Sequence, residues 1–167
     1  MAGADCLRQG GAAIDGAVAA VRSMERSGAF NAGHGSCLTA DGQIESDAAV
    51  MNGKDLSYGA VAAVPRLGNA VEIAETIRTR SPHCLFAGER ALDSIGRLGG
   101  PAAELIDPSP SRLQSYRQHL MRVGETMLKT DDLSRLGGTH DEGDTVGAVV
   151  LDINGGLAAA VSTGGIW

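Results

Sequence analysis

Apolar side chains recur at Ile14, Ala17, Val18, Val21 and Met24, the spacing of one helical face. The pattern predicts a helix over residues 12–27, with Gly28 as its stop. "FNAGHGS", residues 30–36, is crowded with small residues and reads as a loop. "CLTADGQIES" reads as a hairpin turning at Asp41-Gly42. "YGAVAAV", residues 58–64, is a short apolar run between turn signals, which predicts a buried strand closed by Pro65 and Gly68. Asn69 with Glu72 resembles a capping box opening a helix that runs to Arg80. Ser81-Pro82 predicts a further helix, with serine as N-cap and proline at the first helical position. "PSPSR", residues 108–112, breaks the chain, and residues 111–128 are weakly helical. Residues 129–144 are polar and unpatterned, and predict a mobile linker. "TVGAVVLD" and "GLAAAVST" then form an apolar hairpin about Asn154-Gly155, with Thr145 beginning a strand paired to residues 156–162. Two apolar β regions far apart in sequence, with helices between, imply an α+β sheet core covered by helices.

Composition narrows the functional classes. The chain has 167 residues, 43% hydrophobic and 20% charged, enough for one globular domain with a core. A net charge of −6 argues against nucleic acid or an anionic membrane surface as the main partner. No apolar run reaches membrane-span length and Met1 opens no signal-peptide pattern. Cys6, Cys37 and Cys84 form no CxxC and read as reduced thiols, so a cytoplasmic chain is expected.

Chemistry concentrates at one seam. In "DEGDTVGAVVLD", residues 141–152, an acidic approach meets a buried-looking strand at Thr145. A hydroxyl there, behind a segment free to bend, can attack the Asp144 carbonyl. Cleavage would leave Thr145 with a free α-amine, whose reference pKa of ~7.7–8 lets it take the proton from its own hydroxyl. A threonine that simply starts a strand is the plain alternative. Other candidates have plain readings too. Asn31 can hold a turn. His34 has no second His or Cys at metal spacing. Glu45 and Asp47 alternate on what reads as a strand edge, where same-face carboxylates repel and need nearby donors, so both are expected to be structural.

"FNAGHGSCLTADGQIESDAAVMNG", "SPHCLFAGERA" and "GDTVGAVVLDINGGLAAAVSTGG" together resemble the plant-type L-asparaginase/isoaspartyl peptidase family of N-terminal-nucleophile hydrolases, which includes taspase. The blocks stand in family order over most of residues 10–95 and 137–166. The resemblance implies a four-layer αββα sandwich and self-cleavage at Asp144–Thr145. Residues 1–144 would be α-subunit-like, including the linker 129–144, and residues 145–167 the start of a β subunit. It implies Thr145 as nucleophile, Thr163 beside it tuning its amine and hydroxyl, and Asn31 as a nucleophile-side hydrogen-bonding residue. A sodium-binding loop would use the backbone carbonyls of Met24, Glu25, Ser27, Phe30, Ala32 and His34, and no other cofactor is expected. The implied substrate is L-asparagine or an isoaspartyl dipeptide, hydrolysed through a Thr145 acyl-enzyme, and the implied assembly is a homodimer of αβ units.

The chain departs from the family pattern in ways that set further expectations. No glycine-rich HGG-type strand precedes Cys6, and after "STGGIW" there is no GRVGD-type clamp or TGxGE-type oxyanion block. Asn52 replaces the usual aspartate of an MDG motif, and Arg90 interrupts a GEGA-like block. The single domain is therefore expected to be partial, and the 167-residue chain inactive alone. Two alternatives stay open: a taspase-like endopeptidase that cuts after aspartate, which Asp144 before Thr145 also fits, and a non-catalytic family fragment that pairs with another chain.

Overall fold

The computed structural model describes residues 2–127 and 144–165. The elements run α1 (Ala2–Arg8), α2 (Ala13–Ser27), β1 (Glu45–Asn52), β2 (Tyr58–Pro65), α3 (Ala70–Arg80), β3 (Leu85–Ala87), α4 (Ala91–Arg97), α5 (Pro110–Met127), β4 (Val146–Leu151) and β5 (Leu157–Thr163). The class is α+β, with one five-stranded sheet ordered β3-β2-β1-β5-β4. The linker expected over 129–144 lies outside the described residues except for Asp144. No helix among the described residues is long and apolar enough to cross a membrane.

The sheet joins the two distant β regions directly: β1 pairs antiparallel with β2 on one side and with β5 on the other. Strand alternation sends Ser46, Ala48, Val50, Ala158, Ala160 and Ser162 to one face, all buried. That face is covered by α2 through Ile14, Ala17 and Val21 and by α3 through Val71, Ala74 and Ile77. The opposite face carries Met51, Tyr58, Val149, Leu151, Leu157 and Val161, all exposed.

Several local expectations hold. α2 runs Ala13–Ser27 and stops at Gly28. β4 and β5 form the expected hairpin, with Thr145 one residue ahead of β4. Others are corrected. Asp41-Gly42 is a turn, closed by the Gly42 amide on the Thr39 carbonyl (2.8 Å), but only its second arm becomes a strand. β2 is half-buried rather than buried on both faces, because helices cover one side of the sheet. Asn69 does not cap α3 with its side chain. Its amide group instead donates to the Ala102 carbonyl and accepts from the Glu104 amide (3.0 and 2.8 Å), tying down the 102–104 segment. Ser81-Pro82 starts no helix: Ser81 is the extended C-cap of α3, and the chain runs into β3, parallel to β2. Proline at a candidate first turn signals a helix start only if nothing pairs with the chain beyond it, and here β2 does.

β1 is the central strand and not an edge. Asp47 has the structural role expected of it. The register of β1 on β2 shifts between Ser46 and Ala48, and Ala63 in this bulge has φ of 50°. The Ala63 amide that the ladder leaves over donates to Asp47 Oδ1 at 2.8 Å.

Candidate active site

Antiparallel register places the seam. Val146 pairs with Ser162. One step further, Thr145 stands across from Thr163, both aimed at the open face, because Val146 and Ser162 are buried against the helices. The Thr145 hydroxyl donates to Thr163 Oγ1 at 2.9 Å. This leaves the lone pairs of Thr145 Oγ1 free of that bond.

Asn31 fastens the ends of both strands. Its amide donates to the Asp144 carbonyl at 3.3 Å, and its carbonyl accepts from the Gly164 amide at 2.9 Å. Its side chain is fixed as well, accepting from the Cys37 amide at 2.8 Å and donating to the Gly165 carbonyl at 3.2 Å. At 6% exposure it holds more than a turn. Gly164 makes this approach feasible: a Cβ there would lie 2.5 Å from Asn31 Oδ1 and 2.5 Å from Ser36 Cβ. The fully enclosed Ser36 hydroxyl lies in the same packing and has no hydrogen-bond partner among the described residues.

The loop read for sodium is closed by a 3-10 turn at Gly33–Gly35. A Cβ on Gly33 would meet the Glu25 carbonyl oxygen at 2.6 Å, and one on Gly35 would meet those of Phe30 (2.2 Å) and Gly28 (2.6 Å). The Glu25 carbonyl thus lies against Gly33, and the Gly28 and Phe30 carbonyls against Gly35. Met24 offers its carbonyl to the Ser27 hydroxyl (2.7 Å), Phe30 to the Ala32 amide (2.9 Å) and Ala32 to the Gly35 amide (3.1 Å). The His34 side chain turns away, with Nε2 2.9 Å from Glu104 Oε1. No group of three or more His, Cys, Asp or Glu able to hold a metal stands among the described residues.

Beneath the seam lies a charged cluster the sequence reading missed. Glu25 is fully buried, and its Oε1 accepts from the Ser162 hydroxyl (2.7 Å) and the Val71 amide (3.0 Å). Arg22, also buried, pairs with Glu25 (3.5 Å) and Glu72 (2.8 Å), binds Glu104 through Nη2, and donates to the Gly68 carbonyl at 2.9 Å. Burial pushes the Glu25 carboxyl up to about 7, against the opposing pull of Ser162, Val71 and Arg22. Burial acts the same way on Glu104, but hydrogen bonds from Arg22 and His34 outweigh it and hold that carboxyl below its ordinary value. The available signal was the pair of charges at 22 and 25, in step with the apolar face of α2 at 14, 18 and 21.

A family model described as "Asparaginase" matches residues 1–167. The chain belongs to this asparaginase family. A plant-type L-asparaginase of Pyrobaculum calidifontis is 41% identical over 171 residues, covering 98% of this chain and 54% of that protein. The isoaspartyl peptidase/L-asparaginase of Rattus norvegicus is 40% identical, covering 98% of this chain and 47% of its own length. The human protein of the same name is 37% identical, with coverages of 96% and 49%. The chain thus spans about half the length of the curated asparaginase-family relatives it matches.

Proposed function

We propose that these residues belong to an N-terminal-threonine amidohydrolase that cuts itself between Asp144 and Thr145 and then hydrolyses L-asparagine or β-aspartyl peptides. The observation that carries this reading is the threonine pair: Thr145 Oγ1 held 2.9 Å from Thr163 Oγ1, with the Asn31 amide on the Asp144 carbonyl oxygen at 3.3 Å. The hydrogen bond to Thr163 draws on the Thr145 proton, and the Asn31 amide polarises the carbonyl under attack. Thr145 Oγ1 adds to the Asp144 carbonyl carbon, the Asp144–Thr145 C–N bond breaks, and the proton passes to the leaving nitrogen. Water then hydrolyses the resulting ester, freeing the Asp144 carboxylate and the Thr145 hydroxyl. In turnover the new α-amine takes the hydroxyl proton, and Oγ1 attacks the substrate side-chain amide. Ammonia or an amine leaves with that proton, and water releases aspartate. The names of the relatives support this substrate class.

The same reading makes residues 1–144 and 145–167 the α- and β-subunit-like parts of one domain. The exposed apolar face of the sheet supports a second sheet packing there, as a four-layer sandwich requires. Residues 1–167 alone are proposed to be inactive, since Thr145 stands on that open face, exposed to water. A hard monovalent cation is proposed to sit in this loop, held by backbone carbonyls, where it would supply positive charge near Asn31. The holders would be the carbonyls of Glu25 and Phe30, with Met24, Ser27, Ala32 and His34 completing the expected set. Assembly as a homodimer of αβ units is likewise proposed.

The test extends the 167 residues to the relatives' length and measures intact mass. Two pieces are expected, one ending at Asp144 and one starting at Thr145, with ammonia release from L-asparagine only after cleavage. Thr145→Ala should abolish both. Thr145→Ser should slow both, keeping the hydroxyl but losing the methyl that restricts its rotamer. An extended chain that stays intact sinks the assignment.

A further inference from the structure

We propose that Glu25 and Ser162 are positioning residues for the threonine pair, acting from the opposite face of the sheet. The inference rests on the functional reading above for its consequence, but its geometry stands apart. Ser162 and Thr163 are neighbours on β5 and point to opposite faces. Ser162 is fully buried, and its hydroxyl donates to Glu25 Oε1 at 2.7 Å. The same oxygen accepts the Val71 amide at 3.0 Å, at the start of α3. Arg22 faces the other carboxylate oxygen at 3.5 Å and is itself held by Glu72, Glu104 and the Gly68 carbonyl. A single carboxylate thus ties the last turn of α2 and the first turn of α3 to the last residues of β5.

At that end of β5 the ladder gives out on both sides. Its ladder partners run out at Asp47 on β1 and at Val146 on β4, and beyond Thr163 the chain is held by Asn31. A buried hydrogen bond restrains a strand end because losing it leaves a polar group buried without a partner. It fixes the pleat at Ser162. The pleat decides where Thr163 aims, and Thr163 Oγ1 must lie within hydrogen-bond reach of Thr145. His34, through Glu104 and Arg22, joins the NAGHG loop to the same cluster, so Asn31 and Thr163 share one anchor.

Residue-resolved amide exchange on the 167-residue chain tests this, together with the three-bond couplings that report the Thr163 rotamer. Ser162→Ala keeps the backbone and removes only the hydroxyl. It should speed exchange at the Gly164 and Asn31 amides by up to about tenfold, the range one lost buried hydrogen bond commands. Exchange at Ile73 and Ile77 in α3 should stay near the parent rate, and the Thr163 couplings should move toward rotamer-averaged values. Glu25→Gln retains a carbonyl oxygen for both Ser162 and Val71, so it should hold these amides close to the parent. Unchanged couplings and exchange at 31 and 164 in Ser162→Ala overturn the proposal, and so does a uniform acceleration across α3, which would mark a general loss of stability. Neither result touches the cleavage assignment, which depends on Thr145→Ala.

Discussion

The two faces of the sheet are built from the same strands and have opposite characters. On the covered face, Val50, Val61, Ala158 and Ala160 meet the apolar stripes of α2 and α3, and the charges present are paired. On the other, Val149 is 76% exposed and Leu157 51%, with the two candidate catalytic hydroxyls at the rim. Stability should therefore reside in the first face. The second offers chemistry and an unsatisfied apolar surface, and the link between the two runs through neighbouring residues of one strand, Ser162 and Thr163.

The largest break in this comparison should come from Ile77→Ala. This side chain is 0% exposed, and its loss should cost about 2–5 kcal/mol in denaturant unfolding. Acidity comes next. Glu25 has its folded pKa raised from 4.5 to about 7, so the folded state holds a proton in that window that the unfolded state releases. Its contribution therefore favours folding below about pH 4.5 and is lost as pH rises to about 7, about 3 kcal/mol in all. Urea midpoints at pH 5 and pH 8 should show this decline, and Glu25→Gln should flatten it. The lowered carboxyls, Glu104 and Asp152, act oppositely: they support folding above their unfolded values and lose that support only in stronger acid.

Gly164→Ala probes the junction between the faces. Its methyl would meet Asn31 and Ser36 at 2.5 Å, and overpacking of this kind costs about 1–3 kcal/mol. Cleavage in the extended chain should fall further than this stability loss explains, because Asn31 is displaced from the Asp144 carbonyl. The smallest effect should come from Val149→Ala on the open face, within about 0.5 kcal/mol for the 167-residue chain. A core-sized loss there would mean that the face is already covered in solution.

Much of this was legible in the sequence. The helical stripe at Ile14, Ala17 and Val21 gave α2, and Asn154-Gly155 between two apolar runs gave the β4–β5 hairpin, because period and turn chemistry are local. Thr145, Thr163 and Asn31 could be named from their motifs, and the chain brings all three together. Local signals failed where a distant partner intervened. Ser81-Pro82 looked like a helix start until β2 paired with the chain beyond it, and Asn69 looked like a cap until residues 102–104 claimed its side chain. Helix α2 has alanine at its N-cap, and the carboxylate that reaches its Ala13 amide is Asp152, from the far hairpin, at 2.9 Å.

By itself, then, the sequence determined α2, β2, α3 and the β4–β5 hairpin, and it marked the threonine at the seam, since these depend on spacing within a few residues. Only the tertiary structure decided that β1 is central and that Glu25 lies beneath Thr145 and Thr163. Those facts depend on register between strands more than a hundred residues apart and on the burial of charge. Neither is set until the whole core closes.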